Sequence, residues 1–110
     1  MRVLRILHMN ILEVQTLCSD HQEAASIART LIEQSLVACA NLTQADSLYT
    51  WKHELVQDSE VLLTTKTTYQ HKHEIIQKVK ELHSYELPYI ACQEIEVTDE
   101  YGRWVAENTS

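Results

Sequence analysis

Three residues have the type and setting for chemistry. Cys18 closes the run NILEVQTLC immediately before Ser19 and Asp20, so a thiol stands where a strand pattern meets a helix start. Amide dipoles at a helix start favour an anion and lower a thiol's pKa, which would make Cys18 a thiolate ligand for a soft metal. The alternative is a small apolar filler at a strand end. His83 lies in KELHSYELPY between two tyrosines and ahead of Pro88. A histidine near a helix C-terminus complements the dipole and the proline enforces the stop, so local physics alone reads His83 as punctuation. Lys66 interrupts VLLTTKTT with a cation that must reach solvent or meet an anion. It serves either a salt bridge between subunits or the wall of a ligand cleft. Glu60 shares its strand face but is too distant for direct pairing.

Catalytic signatures are lacking. One glycine rules out Gly-rich phosphate loops, and neither H-E-x-x-H nor G-x-S-x-G occurs. No catalytic residue is assigned, and the expectation is a protein that is not an enzyme. His71 and His73, two apart on a helix pattern, point about 200° apart and cannot chelate one ion together. Cys18, Cys39 and Cys92 form no C-x-x-C pair, so neither a disulfide framework nor a zinc ribbon is signalled.

The elements that must position these residues follow from pattern. After the strand at residues 10 to 18, Asp20 with Glu23 resembles a capping box. Ala24, Ile27, Ala28, Leu31 and Ile32 then recur on one face of a helix from about His21 to Ser35. Ala38 to Trp51 and Glu54 to Thr67 alternate as a long hairpin turning at Lys52 and His53. Tyr69 to His83 reads as a second helix, Tyr89 to Val97 as a last strand, and Tyr101, Trp104 and Val105 as a short terminal helix. Residues 1 to 9 are either an upstream extension or the start of the first strand, and 10 to 110 form a single domain.

The order βαββαβ predicts an α+β, ferredoxin-like sandwich with an extra C-terminal helix, its two main helices on one face of an antiparallel sheet. The other face and the edges of a hairpin longer than its neighbours are most economically covered by self-association. A formal net charge of -7 argues against nucleic acid and anionic membrane partners. With no apolar run of roughly 20 residues and no signal-peptide pattern in MRVLRILHMN, the expected location is the cytoplasm.

Several stretches together are familiar. LC at 17 to 18, A-x-x-I-A at 24 to 28, L-V-A-C-A-N-L at 36 to 42, S-L-Y-x-W at 47 to 51, K-T at 66 to 67, H-x-Y-x-x-P at 83 to 88 and Y-x-x-W at 101 to 104 resemble the CutA family of divalent-cation tolerance proteins. The resemblance runs from about residue 10 to 106. It implies a tight homotrimer of ferredoxin-like subunits, similar in shape to PII-like signalling trimers, whose long hairpins pack between neighbours. It also implies copper or other divalent-cation binding at a cysteine ending the first strand and a histidine pair after the second helix. Those positions here are Cys18 and His83. Where the family often has His-His-Pro-Tyr, this chain has Leu82-His83-Ser84-Tyr85, so one histidine of that pair is absent. A thiolate with an imidazole suits copper better than magnesium or calcium, and no organic cofactor is expected.

Two other readings stand beside the metal one. The first is a PII-like sensor in which Trp51, Glu60, Lys66 and Tyr85 line clefts between subunits, Lys66 taking an anionic group of a small ligand. The second is a structural trimeric scaffold, with Cys18 buried and Lys66 in a salt bridge.

Overall fold

The alternation in HMNILEVQTLC forms strand β1 (His8–Cys18), which places Leu12, Val14, Thr16 and Cys18 on one face and Met9 and Ile11 on the other. The computed structural model describes residues 8–110, so β1 begins two residues before the expected start and residues 1–7 lie outside the described region. Helix α1 (His21–Glu33) starts where the capping pattern requires. Asp20 Oδ1 accepts from the Glu23 amide at 2.8 Å, and Glu23 Oε1 accepts from the Ser19 amide at 2.9 Å. Its buried face is Ala24, Ile27, Ala28 and Leu31, whereas Ile32, expected with them, is exposed because it lies at the edge of that face.

Strands β2 (Cys39–Trp51) and β3 (Glu54–Thr67) make the hairpin, paired from Cys39↔Lys66 to Trp51↔Glu54. Lys52 and His53 turn the chain with φ of 50° and 68°. Both central residues lie in the left-handed region, the geometry of a type I′ turn that usually takes Asn-Gly.

The second expected helix divides. Tyr69–His71 forms a single 3-10 turn, and only Lys72–Leu82 is α-helical, as α2. No side chain caps either start, which leaves the first turn to tighten. His83 already has an extended backbone, φ -76° and ψ 141°, so it caps the helix rather than belonging to it. Strand β4 (Ile90–Thr98) leads directly into α3 (Asp99–Glu107), whose N-cap Thr98 accepts from the Tyr101 amide and whose first turn carries Asp99 and Glu100.

Among the described residues the four strands form one antiparallel sheet in the order β2-β3-β1-β4, the ferredoxin-like arrangement expected. Helices α1 and α2 cover one face, over a core that includes Leu12, Leu31, Leu63, Ile75 and Val79. Helix α3 covers part of the other face, against β1 at Met9. The chain's one glycine makes this approach close. A Cβ on Gly102 would stand 2.8 Å from both the Cβ and the Sδ of Met9.

Thr16, Thr65 and Thr67 are buried in the sheet, and their hydroxyls differ in their partners. Thr65 donates to the Val14 carbonyl at 2.9 Å and Thr67 to the Leu36 carbonyl at 2.6 Å, but Thr16 Oγ1 is buried with no partner among the described residues. Replacing a buried, unpaired hydroxyl by a methyl removes a desolvation cost, whereas removing a paired one orphans its acceptor. Thr16→Val is therefore expected to stabilise the fold by about 1 kcal/mol and Thr67→Val to destabilise it by about 1 to 2 kcal/mol. Equilibrium urea unfolding of the two variants beside the parent checks both signs.

Strand β1 ends its pairing at Cys18↔Val61, so the hairpin from Ala45 through Glu60 projects past the sheet, paired only with itself. The described molecule is accordingly elongated, 62 × 31 × 21 Å. No helix among the described residues is long and apolar enough to cross a membrane.

Candidate metal centre and adjoining cavity

The metal-ligating candidates lie at the junction of three segments. Cys18 comes from the end of β1, Glu23 from the first turn of α1 and His83 from the cap of α2. One ligand atom from each lies within 4.8 Å of the other two. The structure thus brings together Cys18 and His83, two residues separated by most of the chain. It adds Glu23, which the sequence reading had placed only in a capping box. A glutamate three residues after a helix cap, just beyond a strand-end cysteine, is the signal that could have pointed to it.

Hydrogen bonds hold Glu23 and His83 in place. Glu23 Oε1 accepts from the Ser19 amide and, at 3.2 Å, from the Ser19 hydroxyl, and Oε2 accepts from the Ser84 amide at 2.8 Å. Burial opposes ionisation of Glu23, but the hydrogen bonds from Ser84 and Ser19 outweigh it and hold the carboxyl below its usual range. His83 Nε2 donates to the Leu17 carbonyl at 2.8 Å, while Nδ1 accepts from the Tyr85 amide at 3.1 Å. A carbonyl can only accept and an amide can only donate, so these partners define the neutral tautomer.

The Cys18 thiol departs from its expected behaviour. A lowered pKa was anticipated from the helix start, but burial pushes it up to about 12, and the carboxylates of Glu23, Asp20 and Glu60 add to the rise. Desolvation and three nearby negative charges outweigh the amide dipoles, so near neutral pH the thiol keeps its proton.

One sulfur, one imidazole nitrogen and one carboxylate oxygen make a donor set that suits copper or zinc and leaves a position open, so the residues present fit a soft to borderline divalent cation. A cation held there would displace the Cys18 proton and one of the two hydrogen bonds of the His83 ring.

Immediately beyond this centre lies a cavity of about 760 Å³ between the projecting hairpin and the loop from α2 to β4. Trp51, Glu60 and Tyr85 line it, as do Tyr49 and Tyr89, and the Tyr85 hydroxyl donates to Glu60 Oε2 at 2.7 Å. Burial and the Glu60 carboxylate push the Tyr85 hydroxyl pKa up. Lys66, expected in the same cleft, does not line this cavity. It sits between Glu13 and Cys39 in the sheet, on the face away from α1 and α2, and donates to Asn41 Oδ1 at 2.7 Å. Period-two alternation put Lys66 and Glu60 on one face, but the hairpin continues past β1, so the two occupy separate regions along it.

The chain matches the family described as CutA1 divalent ion tolerance protein over residues 12–108. It belongs to the CutA1 family. A divalent-cation tolerance protein CutA of Thermus thermophilus is 41% identical to it over 92 residues, spanning 82% of this chain and 89% of the relative. The Thermotoga maritima protein of the same description is 38% identical over 90 residues, spanning 81% and 89%. Among solved structures, CutA1 from Pyrococcus horikoshii shares the fold with a TM-score of 0.87 at 31% identity, over 90% of this chain and 98% of that one. The CutA1 match contains Cys18, Glu23 and His83 and every residue lining the cavity.

Proposed function

We propose that this CutA1-family chain is a divalent-cation tolerance protein that binds its ion at Cys18, Glu23 and His83, as a homotrimer in the cytoplasm and without enzymatic turnover. The observation that carries this is the convergence of three different donor atoms within 4.8 Å at the meeting of β1, α1 and the α2 cap. Copper is the ion best matched to a buried thiol beside an imidazole, and Glu23 supplies the third donor that the missing histidine of Leu82-His83 would otherwise provide.

The trimer reading draws on the hairpin that projects beyond the sheet. Leu48 is 63% exposed, Leu55 77% and, on the facing loop, Leu87 75%, an apolar surface that self-association would cover. Light scattering is expected to give three times the chain mass, and a monomer would overturn this part.

Native mass spectrometry with Cu(I), Cu(II) and Zn(II) tests the centre. One ion per chain is expected, and Cys18→Ala, His83→Ala and Glu23→Gln are each expected to weaken binding by at least about tenfold. Unchanged stoichiometry and affinity in all three variants would rule out the site.

A further inference from the structure

We propose that His83 meets its ion through Nδ1 rather than Nε2, and that the Tyr85 amide is the backbone group released when it does, an inference that rests on the metal reading above. Both ring nitrogens are already engaged. Nε2 donates to the Leu17 carbonyl at 2.8 Å and Nδ1 accepts from the Tyr85 amide at 3.1 Å. An ion needs a lone pair in the plane of the ring, and a neutral imidazole offers one.

The two routes differ in what they break. Through Nδ1, the ion takes the lone pair that the Tyr85 amide uses, and Nε2 keeps its proton on the Leu17 carbonyl. One hydrogen bond is lost. Through Nε2, the ring proton has to move to Nδ1, so the Leu17 carbonyl loses its donor and Nδ1–H faces the Tyr85 N–H, donor against donor. Both bonds are lost. The second loss favours Nδ1 by at least about fivefold.

The place of Leu17 in the sheet points the same way. It stands one residue past the last β1–β4 pair, Thr16↔Ile90, where β4 no longer reaches β1, and the His83 ring supplies a donor there. A ligating histidine characteristically gives its other N–H to such a carbonyl, which fixes the tautomer and the direction of the ring. Glu23 keeps its partners. Its carboxylate has roughly four lone-pair sites and accepts from the Ser19 amide and hydroxyl and the Ser84 amide, so a further bond to an ion displaces none of them. The release is therefore confined to Tyr85, at the start of the segment from α2 to β4. That segment is tied to the ring in the ion-free chain and untied at one amide in the loaded one.

Zinc, which is diamagnetic, is the probe, added to one equivalent per chain of the full protein labelled with 15N. Long-range proton–nitrogen correlation of the His83 ring is expected to show Nε2 protonated before and after loading, with only Nδ1 moving to the shift of a metal-bound nitrogen. Hydrogen exchange at the Tyr85 amide is expected to quicken by about five- to tenfold on loading, while the Ser84 amide, held by Glu23 in both states, changes by less than about twofold. Zinc on Nε2, with the proton moved to Nδ1, would overturn this inference and leave the metal reading standing. A Tyr85 amide that exchanges no faster, or a Ser84 amide that quickens equally, would do the same. No zinc bound, or zinc bound with neither nitrogen of His83 shifted, would overturn both.

Discussion

Raising the pH from about 9 to about 12 is expected to cost the folded chain about 4 kcal/mol through the Cys18 thiol alone. The thiol's ordinary value is 9.0, and burial followed by the surrounding carboxylates lifts it to about 12 in the fold. The sign follows from linkage. The folded pKa is raised, so the contribution is fully present below pH 9, where both states are protonated. It falls as pH rises toward 12, because the unfolded chain loses a proton that the fold retains. Each pH unit across that window is worth about 1.4 kcal/mol. Tyr49, Tyr85 and Tyr101 are shifted in the same direction and add to the alkaline loss, so the comparison that isolates Cys18 is with Cys18→Ala. Urea unfolding across this range should show a shallower pH dependence in that variant, and identical slopes would contradict the assignment. On the proposed metal reading the same proton would govern binding. Since an ion must displace it, apparent affinity is expected to rise about tenfold per pH unit between about 6 and 9, and that slope should vanish without the thiol.

Replacing Glu23 by alanine is expected to destabilise the fold by about 1 to 2 kcal/mol, a large effect for a partly exposed side chain. Its carboxylate holds the Ser19 amide and hydroxyl on one oxygen and the Ser84 amide on the other, so it joins the start of α1 to the chain leaving α2. Removing it leaves the exposed Ser19 and Ser84 amides to water and unties the two segments. Glu23→Gln, with one acceptor oxygen left, should fall between parent and alanine in a denaturant titration. Its lowered pKa carries a second expectation with the opposite sign to that of Cys18. The stabilisation is present above the ordinary carboxylate range and is lost as pH falls through the lowered folded value, so acid should narrow the gap between parent and Glu23→Ala. A gap that stays constant from neutral to acid pH would show that the carboxylate's charge is not what the amides recognise.

Much of the fold was legible because its signals are local. The Asp20 and Glu23 cap, the apolar face of α1 and the alternation of β2 and β3 are set within a few residues of each other, whereas α2 ends at Leu82, well before Pro88. The exceptions are local too. Tyr69–His71 tightened to a 3-10 turn for want of a cap, and Lys52 with His53 adopt a turn whose preferred residues they are not. The site was half legible. Cys18 and His83 were picked out by residue type and position and by resemblance to a family. Glu23 was already recognised, but for a local role, and nothing in its neighbourhood shows that Ser84 and His83 arrive from the other end of the chain.

What the sequence determined by itself, then, is the order and type of the elements, the family and the identity of two candidate ligands, because period, capping and motif are properties of neighbouring residues. Tertiary structure alone decided the rest. It closed three donors into one centre and raised a thiol pKa that the helix start would have lowered. It also moved Lys66 away from Glu60 and surrounded that buried carboxylate with aromatic rings. Each of those depends on desolvation and on contacts between distant segments, and electrostatics in a folded chain follows distance through space rather than separation in sequence.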